Sequence, residues 1–104
     1  MVIWSEKLYI GEQAEKNVKK IKNKIEQGKL VIDVFLITKP SNENNLFDIL
    51  PTAELKFPYY KKRELLVYGL AKGKEEAEEL LLKMLEDIYQ ATGGFYCKEY
   101  FKSE

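Results

Sequence analysis

Leu30-Val31-Ile32-Asp33-Val34-Phe35-Leu36-Ile37-Thr38 is the most apolar stretch of the chain, and its reading decides the fold. Its β-branched and aromatic residues predict a strand. Near-continuous apolarity further predicts a strand covered on both faces or paired at an interface, because a half-solvated strand alternates. The run is too short, and with Asp33 too polar, to form a transmembrane helix.

On its N-terminal side, Glu12–Gln27 carries Ala14, Val18, Ile21 and Ile25 at steps of four, three and four, which predicts a helix with a narrow apolar stripe. Gly28 stands where a left-handed C-terminal cap belongs. Val2–Ile10, before that helix, is a mixed extended run. On the C-terminal side a 25-residue connection leads from Thr38 to Glu64. Pro40, Pro51 and Pro58 break it, Asn42–Asn45 predicts a turn, and Asn45–Ile49 predicts a short helical turn.

Glu64–Ala71 is a second nearly continuous apolar strand. Lys74–Ala91 is a helix with a wide stripe of Ala77, Leu80, Leu81, Met84, Leu85 and Ile88. Glu75, Glu76, Glu78 and Glu79 crowd its first turns, where the helix dipole favours negative charge. Gly93-Gly94 ends it. Phe95–Phe101 alternates Phe95, Cys97 and Phe101 against Tyr96, Lys98 and Tyr100, the pattern of a half-exposed or edge strand.

The resulting order, β-α-β-β-α-β in one domain spanning 1–104, predicts an α+β fold. The expected form is a two-layer ferredoxin-like sandwich with both helices on one sheet face and a long connection between the second and third strands. That fold puts the 30–38 strand at a sheet edge, whereas its composition is that of an interior. Three resolutions are open: a partner chain buries the edge, the 39–63 connection covers it, or the sheet order differs. A small α/β sheet with a third helix in residues 45–57 is the alternative.

Composition removes several function classes. The chain has no histidine, one cysteine, and 17 basic residues balancing 17 acidic ones. Without histidine there is no Ser-His-Asp or Cys-His set, no His-ligated zinc site, and no general acid/base with an unperturbed pKa near neutrality. A lone Cys97 forms neither an internal disulfide nor a CxxC site. Charge interrupts the N-terminus before any signal-peptide core, and this together with the lone cysteine predicts a cytoplasmic protein, with no membrane association. Arg63 is the only arginine, so the planar bidentate fork is offered at one place.

Neutrality hides a pattern. Residues 12–29 hold six lysines against three glutamates, residues 74–91 hold two lysines against six acids, and residues 56–63 hold four cations and no acid. These are solvated faces that keep the chain soluble, or surfaces that meet a partner of opposite sign.

Four features are candidates for chemistry. Gly69-Leu70-Ala71-Lys72-Gly73-Lys74 is a glycine-flanked strand-to-helix turn of the kind that cradles anions. It is one residue short of a P-loop, Glu75 stands where Ser or Thr would ligate magnesium, and the acidic first turn favours a plain turn. Lys56-Phe57-Pro58-Tyr59-Tyr60-Lys61-Lys62-Arg63 mixes cations with aromatic faces, as single-stranded nucleic acid binding requires. Its Tyr59, Tyr60, Lys61, Lys62 and Arg63, with Gly69, Lys72 and Gly73, are the candidate ligand-binding residues; an aromatic anchor with solvated lysines is the plainer reading. Asp33 is a candidate buried carboxylate. Cys97 reads as a buried small hydrophobe, and Asp48 with Glu54 matches no metal-binding loop. No catalytic residue, metal or cofactor is assigned.

Trp4-Ser5-Glu6-Lys7-Leu8-Tyr9, Leu46-Phe47-Asp48-Ile49, Val67-Tyr68-Gly69-Leu70-Ala71-Lys72-Gly73 and Thr92-Gly93-Gly94-Phe95 together resemble a family of small proteins from Gram-positive bacteria with no established activity. The resemblance implies a bacterial, cytoplasmic origin and transfers no catalytic residue. The functional expectation is therefore a small non-enzymatic interaction or self-association module, with a homodimer or a protein partner. The alternative is a weak nucleic-acid or nucleotide binder acting through residues 56–63. A small enzyme would need Asp33, Asp48 and Lys72 to converge.

Overall fold

The computed structural model describes residues 1–42 and 44–102. Four strands, β1 (Val2–Ile10), β2 (Val34–Thr38), β3 (Asp48–Pro51) and β4 (Leu65–Lys72), form one mixed open sheet of order β1-β4-β2-β3. β1 runs parallel to β4, β4 antiparallel to β2, and β2 antiparallel to β3. α1 (Glu12–Glu15) and α2 (Val18–Glu26) follow β1. A 3₁₀ turn (Thr52–Lys56) and α3 (Pro58–Lys61) follow β3, and α4 (Lys74–Thr92) and α5 (Cys97–Phe101) follow β4.

The apolar run at 30–38 divides. Val34–Thr38 is strand, while Leu30 and Ile32 lie in a connecting segment and are 52% and 79% exposed. Asp33 ends that segment at φ +61, and its carbonyl accepts the Gly73 N–H at 2.7 Å. The Val31 carbonyl accepts the Thr52 hydroxyl at 2.7 Å, tying the segment to the 3₁₀ turn. Of the three resolutions, the second holds: the 39–63 connection supplies β3, which pairs with β2 from Phe35↔Pro51 to Thr38↔Asp48 and makes β2 interior. Pro51 is tolerated because it ends a strand that is itself the edge. Residues 45–49 are thus not a helical turn but lead into β3, and in place of a third helix over 45–57 stand β3 and the 3₁₀ turn. The turn expected over Asn42–Asn45 includes Glu43, which lies outside the described residues; at its margins the Asn45 N–H donates to the Asn42 carbonyl at 3.0 Å.

Leu36 and Ile37 are neighbours in β2 and both fully buried, yet successive strand residues point to opposite faces. Both faces must therefore be covered. Leu36, with Val34, Val67 and Leu70, packs against Ala14, Ile21 and Ile25 of α1 and α2, joined by Leu55 and Tyr60. Ile37 and Tyr68 pack against Met84 and Ile88 of α4 and Phe101 of α5. Each such aliphatic side chain contributes roughly 1.5–3 kcal/mol by leaving water. This corrects the two-layer arrangement: the helices lie on opposite faces of the sheet.

The expected fourth strand is also corrected. Residues 97–101 form α5, which packs Cys97, Tyr100 and Phe101 against the α4 side. Phe101 stacks on Tyr68 at 4.2 Å between ring centroids, and Tyr9 meets its edge at 6.4 Å. With β3 added at one edge, the ferredoxin-like order is not clearly present. The first helix breaks at Lys16-Asn17 into α1 and α2. α4 runs one residue past its predicted end and stops at Gly93, whose φ of +78 allows its N–H to reach the Tyr89 carbonyl.

Candidate functional site

The long connection does more than supply β3. Beyond Pro51 it returns across the α2 side of the sheet, and Leu55 and Tyr60 pin it to the same core as Ile21 and Ile25. Two separate basic segments, residues 16–29 and 56–63, therefore share one side of the molecule. Lys16, Lys19, Lys20, Lys29, Lys56, Lys61, Lys62 and Arg63 are all exposed there. The apolar positions of α2 turn inward at the four-and-three spacing, which leaves its lysines outward.

Tyr60 forms a wall between two clefts. One, of about 540 Å³, has a floor of Val2, Ile25, Leu55 and Leu65 and a rim of Lys29, Lys56 and Lys61. Glu26, its acid, accepts the Trp4 indole N–H at 2.9 Å, and Lys22 lies 5.2 Å from the Trp4 ring centre. The other, of about 640 Å³, lies where β1 and β4 begin and β2 ends, and is lined by Trp4, Thr38, Ser41, Tyr59 and Arg63 among others. There the Arg63 guanidinium stands 4.2 Å from the centre of the Tyr59 ring, which meets Tyr60 edge-on at 4.9 Å. Such stacking orients the guanidinium and leaves its edge N–H groups to point at a ligand. Burial, with Glu54 nearby, pushes the Tyr60 phenol above its ordinary value. Phe57 and Tyr59 are 57% and 48% exposed, so two aromatic rings stand among the four cations of residues 56–63.

The other candidates lie elsewhere. Gly69 is buried inside β4, where a Cβ would come within 3.1 Å of Ile37 and 3.3 Å of the Met84 sulfur; its missing side chain serves packing. Lys72 and Gly73 are at the far end of β4 from Leu65, about 23 Å away at strand rise. They do not join Tyr59–Arg63. Glu76 takes the place an anion would use near Gly73. Its carboxylate accepts the N–H groups of Gln13 at 3.0 Å and of Ala14 and Lys72 at 3.3 Å.

Asp33 is exposed, not buried, because it terminates the connecting segment and not the strand. It lies beside Lys72 and Gly73, whereas Asp48 pairs with Thr38 at the other end of β2 and accepts both the N–H and the hydroxyl of Ser41, at 2.9 and 3.0 Å. The convergence of Asp33, Asp48 and Lys72 that an enzyme would need does not occur. Cys97 is partly buried on α5, its thiol pushed up by burial and donating to the Phe95 carbonyl at 3.5 Å. Among the described residues no group of three or more His, Cys, Asp or Glu could hold a metal, and no helix is long and apolar enough to cross a membrane.

Sequence reasoning singled out the 56–63 segment and did not place the α2 lysines beside it. The available signal was the six-lysine excess of residues 12–29, which needed only to be placed on the same side. Comparison with family models, with curated proteins and with solved structures finds no match to this chain.

Proposed function

We propose that the protein is a small non-enzymatic interaction module whose working surface is the basic, aromatic face formed by α2 and residues 56–63, and that its partner is an anionic polymer. The observation that carries this reading is the union of two lysine-rich segments on one side of the sheet around the Tyr59–Tyr60 pair. Among anionic polymers, single-stranded nucleic acid fits best. The half-exposed rings of Phe57 and Tyr59 suit base stacking, and Lys29, Lys56, Lys61 and Arg63 suit a phosphate backbone flanking those bases.

Self-association through β2 loses its motive, since β3 pairs with it and the edge strands of the sheet are β1 and β3. The β1-β4-β2 neighbours keep the ferredoxin-like order but not its strand directions, since β1 runs parallel to β4 and β2 antiparallel to it.

Fluorescence anisotropy with a labelled oligothymidine and an oligouridine tests the proposal. Saturable binding at low salt is expected. With about four phosphates neutralised, affinity should fall roughly fifty-fold from 50 to 200 mM salt. Tyr59→Ala should weaken it by about fivefold or more at constant salt, because stacking contributes about 1–3 kcal/mol per base. Absence of binding at low salt, or displacement by polyglutamate with no effect of Tyr59→Ala, overturns the nucleic-acid assignment.

A further inference from the structure

We infer that the outer face of α4 is a second docking surface, built to seat a basic amphipathic helix of a protein partner. This face lies on the opposite side of the sheet from the basic one and does not depend on what that one binds. The inward stripe of α4 is complete with Ala77, Met84 and Ile88 buried. A second apolar row faces out: Leu82 is 64% exposed and Tyr89 54%, with Leu85 between them. Steps of three and four put all three on one helix face. Past the Gly93 cap the chain turns back, and Phe95, 51% exposed, meets Tyr89 at 5.8 Å between ring centroids. The row and Phe95 bound a groove of about 660 Å³.

The charge around this groove selects its occupant. Glu78 and Glu86 lie one turn before and after Leu82 on the same row and are both exposed. Asp87, also at the groove, is already paired with Lys83 at 3.0 Å. A second copy of α4 would bring like charges together, which disfavours symmetric pairing. The chain's own α2 face has the right sign but turns its apolar residues inward, so it offers nothing to cover Leu82 and Tyr89. An amphipathic helix with an apolar stripe and lysine or arginine flanks satisfies both requirements, and helix-in-groove recognition reads such i, i+3, i+7 anchors.

The test uses the full chain and two synthetic peptides of about 18 residues, five helical turns. One is a leucine–lysine sequence with helical period, and the other is the same sequence with glutamate for lysine. Titration by isothermal calorimetry should give saturable binding of the leucine–lysine peptide, whereas any leucine–glutamate peptide held by the basic face should be insensitive to substitutions on α4. Leu82→Asn combined with Tyr89→Ala should weaken binding by roughly tenfold or more, as loss of central apolar anchors does. Glu78→Lys with Glu86→Lys should also weaken it, in a salt-dependent way. All four side chains are exposed, and unchanged thermal melting will show that the variants fold. The inference is overturned by no saturable binding of the leucine–lysine peptide, or by insensitivity of that binding to the double apolar substitution. It is equally overturned if sedimentation velocity finds a dimer that Leu82→Asn dissolves, since a second copy would then be the occupant.

Discussion

Tyr9 shows how one side chain can join three elements. It extends from β1 and donates its hydroxyl to the Asp87 carboxylate of α4 at 2.7 Å, while sharing a 2.6 Å hydrogen bond with Tyr100 of α5. Lys7 covers the Tyr100 ring at 4.1 Å. Burial and then these partners push the Tyr9 phenol far above its ordinary value, and the Tyr9 hydroxyl, with Lys83, holds Asp87 below the usual carboxylate range. Tyr9→Phe leaves Asp87 and Tyr100 without this partner at a partly buried site. It should cost about 1–2 kcal/mol, read as a lower thermal midpoint. The sign of the pH effect follows from the depressed Asp87 pKa. Its contribution is fully present above the unfolded value of about 3.9 and is lost as pH falls through the lower folded value. Acid unfolding of Asp87→Asn should therefore be shallower below about pH 4 than that of the native chain. An identical acid limb in the two proteins would show that the network carries no proton linkage.

At the scale of elements, the junctions β1–α1 and β4–α4 are locked together by one carboxylate. Glu76, in the first turn of α4, reaches across to the N-terminus of α1 and also accepts from Lys72. Gly11 makes room for it, since a Cβ there would fall 1.8 Å from its Oε1. α1 is only four residues long and has no side-chain cap of its own, so Glu76 satisfies N–H groups that would otherwise lack partners. Glu76→Ala should destabilise by about 1–2 kcal/mol in urea melts, with amide exchange of Gln13 and Ala14 accelerated more than that of the α4 interior. Uniform acceleration would mean the cap is incidental. Long-range capping of this kind is invisible in sequence, where Glu76 reads only as part of an acidic first turn. The periodic elements were legible: β1 spans Val2–Ile10 as expected, and β4 and α4 shift by about a residue. Short segments were not. In seven residues Phe95, Cys97 and Phe101 satisfy a period of two while Cys97, Tyr100 and Phe101 satisfy i, i+3, i+4, and packing of Phe101 on Tyr68 decides for helix. β3 is four residues ending in proline, and only its pairing with β2 makes it a strand. The 56–63 patch was legible because its residues are contiguous; the α2 lysines joined it only through tertiary structure.

For the whole molecule, a formal charge of zero is a balance between two unlike sides. The sheet separates the lysine-rich α2 and 56–63 face from the acidic helix α4. Even the shortest dimension of the molecule, 21 Å, exceeds twice the Debye length of about 8 Å at physiological salt. Each face therefore presents its own sign to a nearby surface with little cancellation from the other. A featureless neutral protein would pass through both ion exchangers at pH 7. This chain should bind a cation exchanger through its lysine face and an anion exchanger through α4, with elution from each by moderate salt. Lys19→Glu with Lys20→Glu should abolish retention on the cation exchanger while strengthening retention on the anion exchanger. These side chains are exposed on α2, where such changes alter stability little. Glu78→Lys with Glu86→Lys should do the reverse. If the native chain flows through both resins, the two faces do not act separately, and neither an anionic polymer on one side nor a basic helix on the other would find the field that recognition needs.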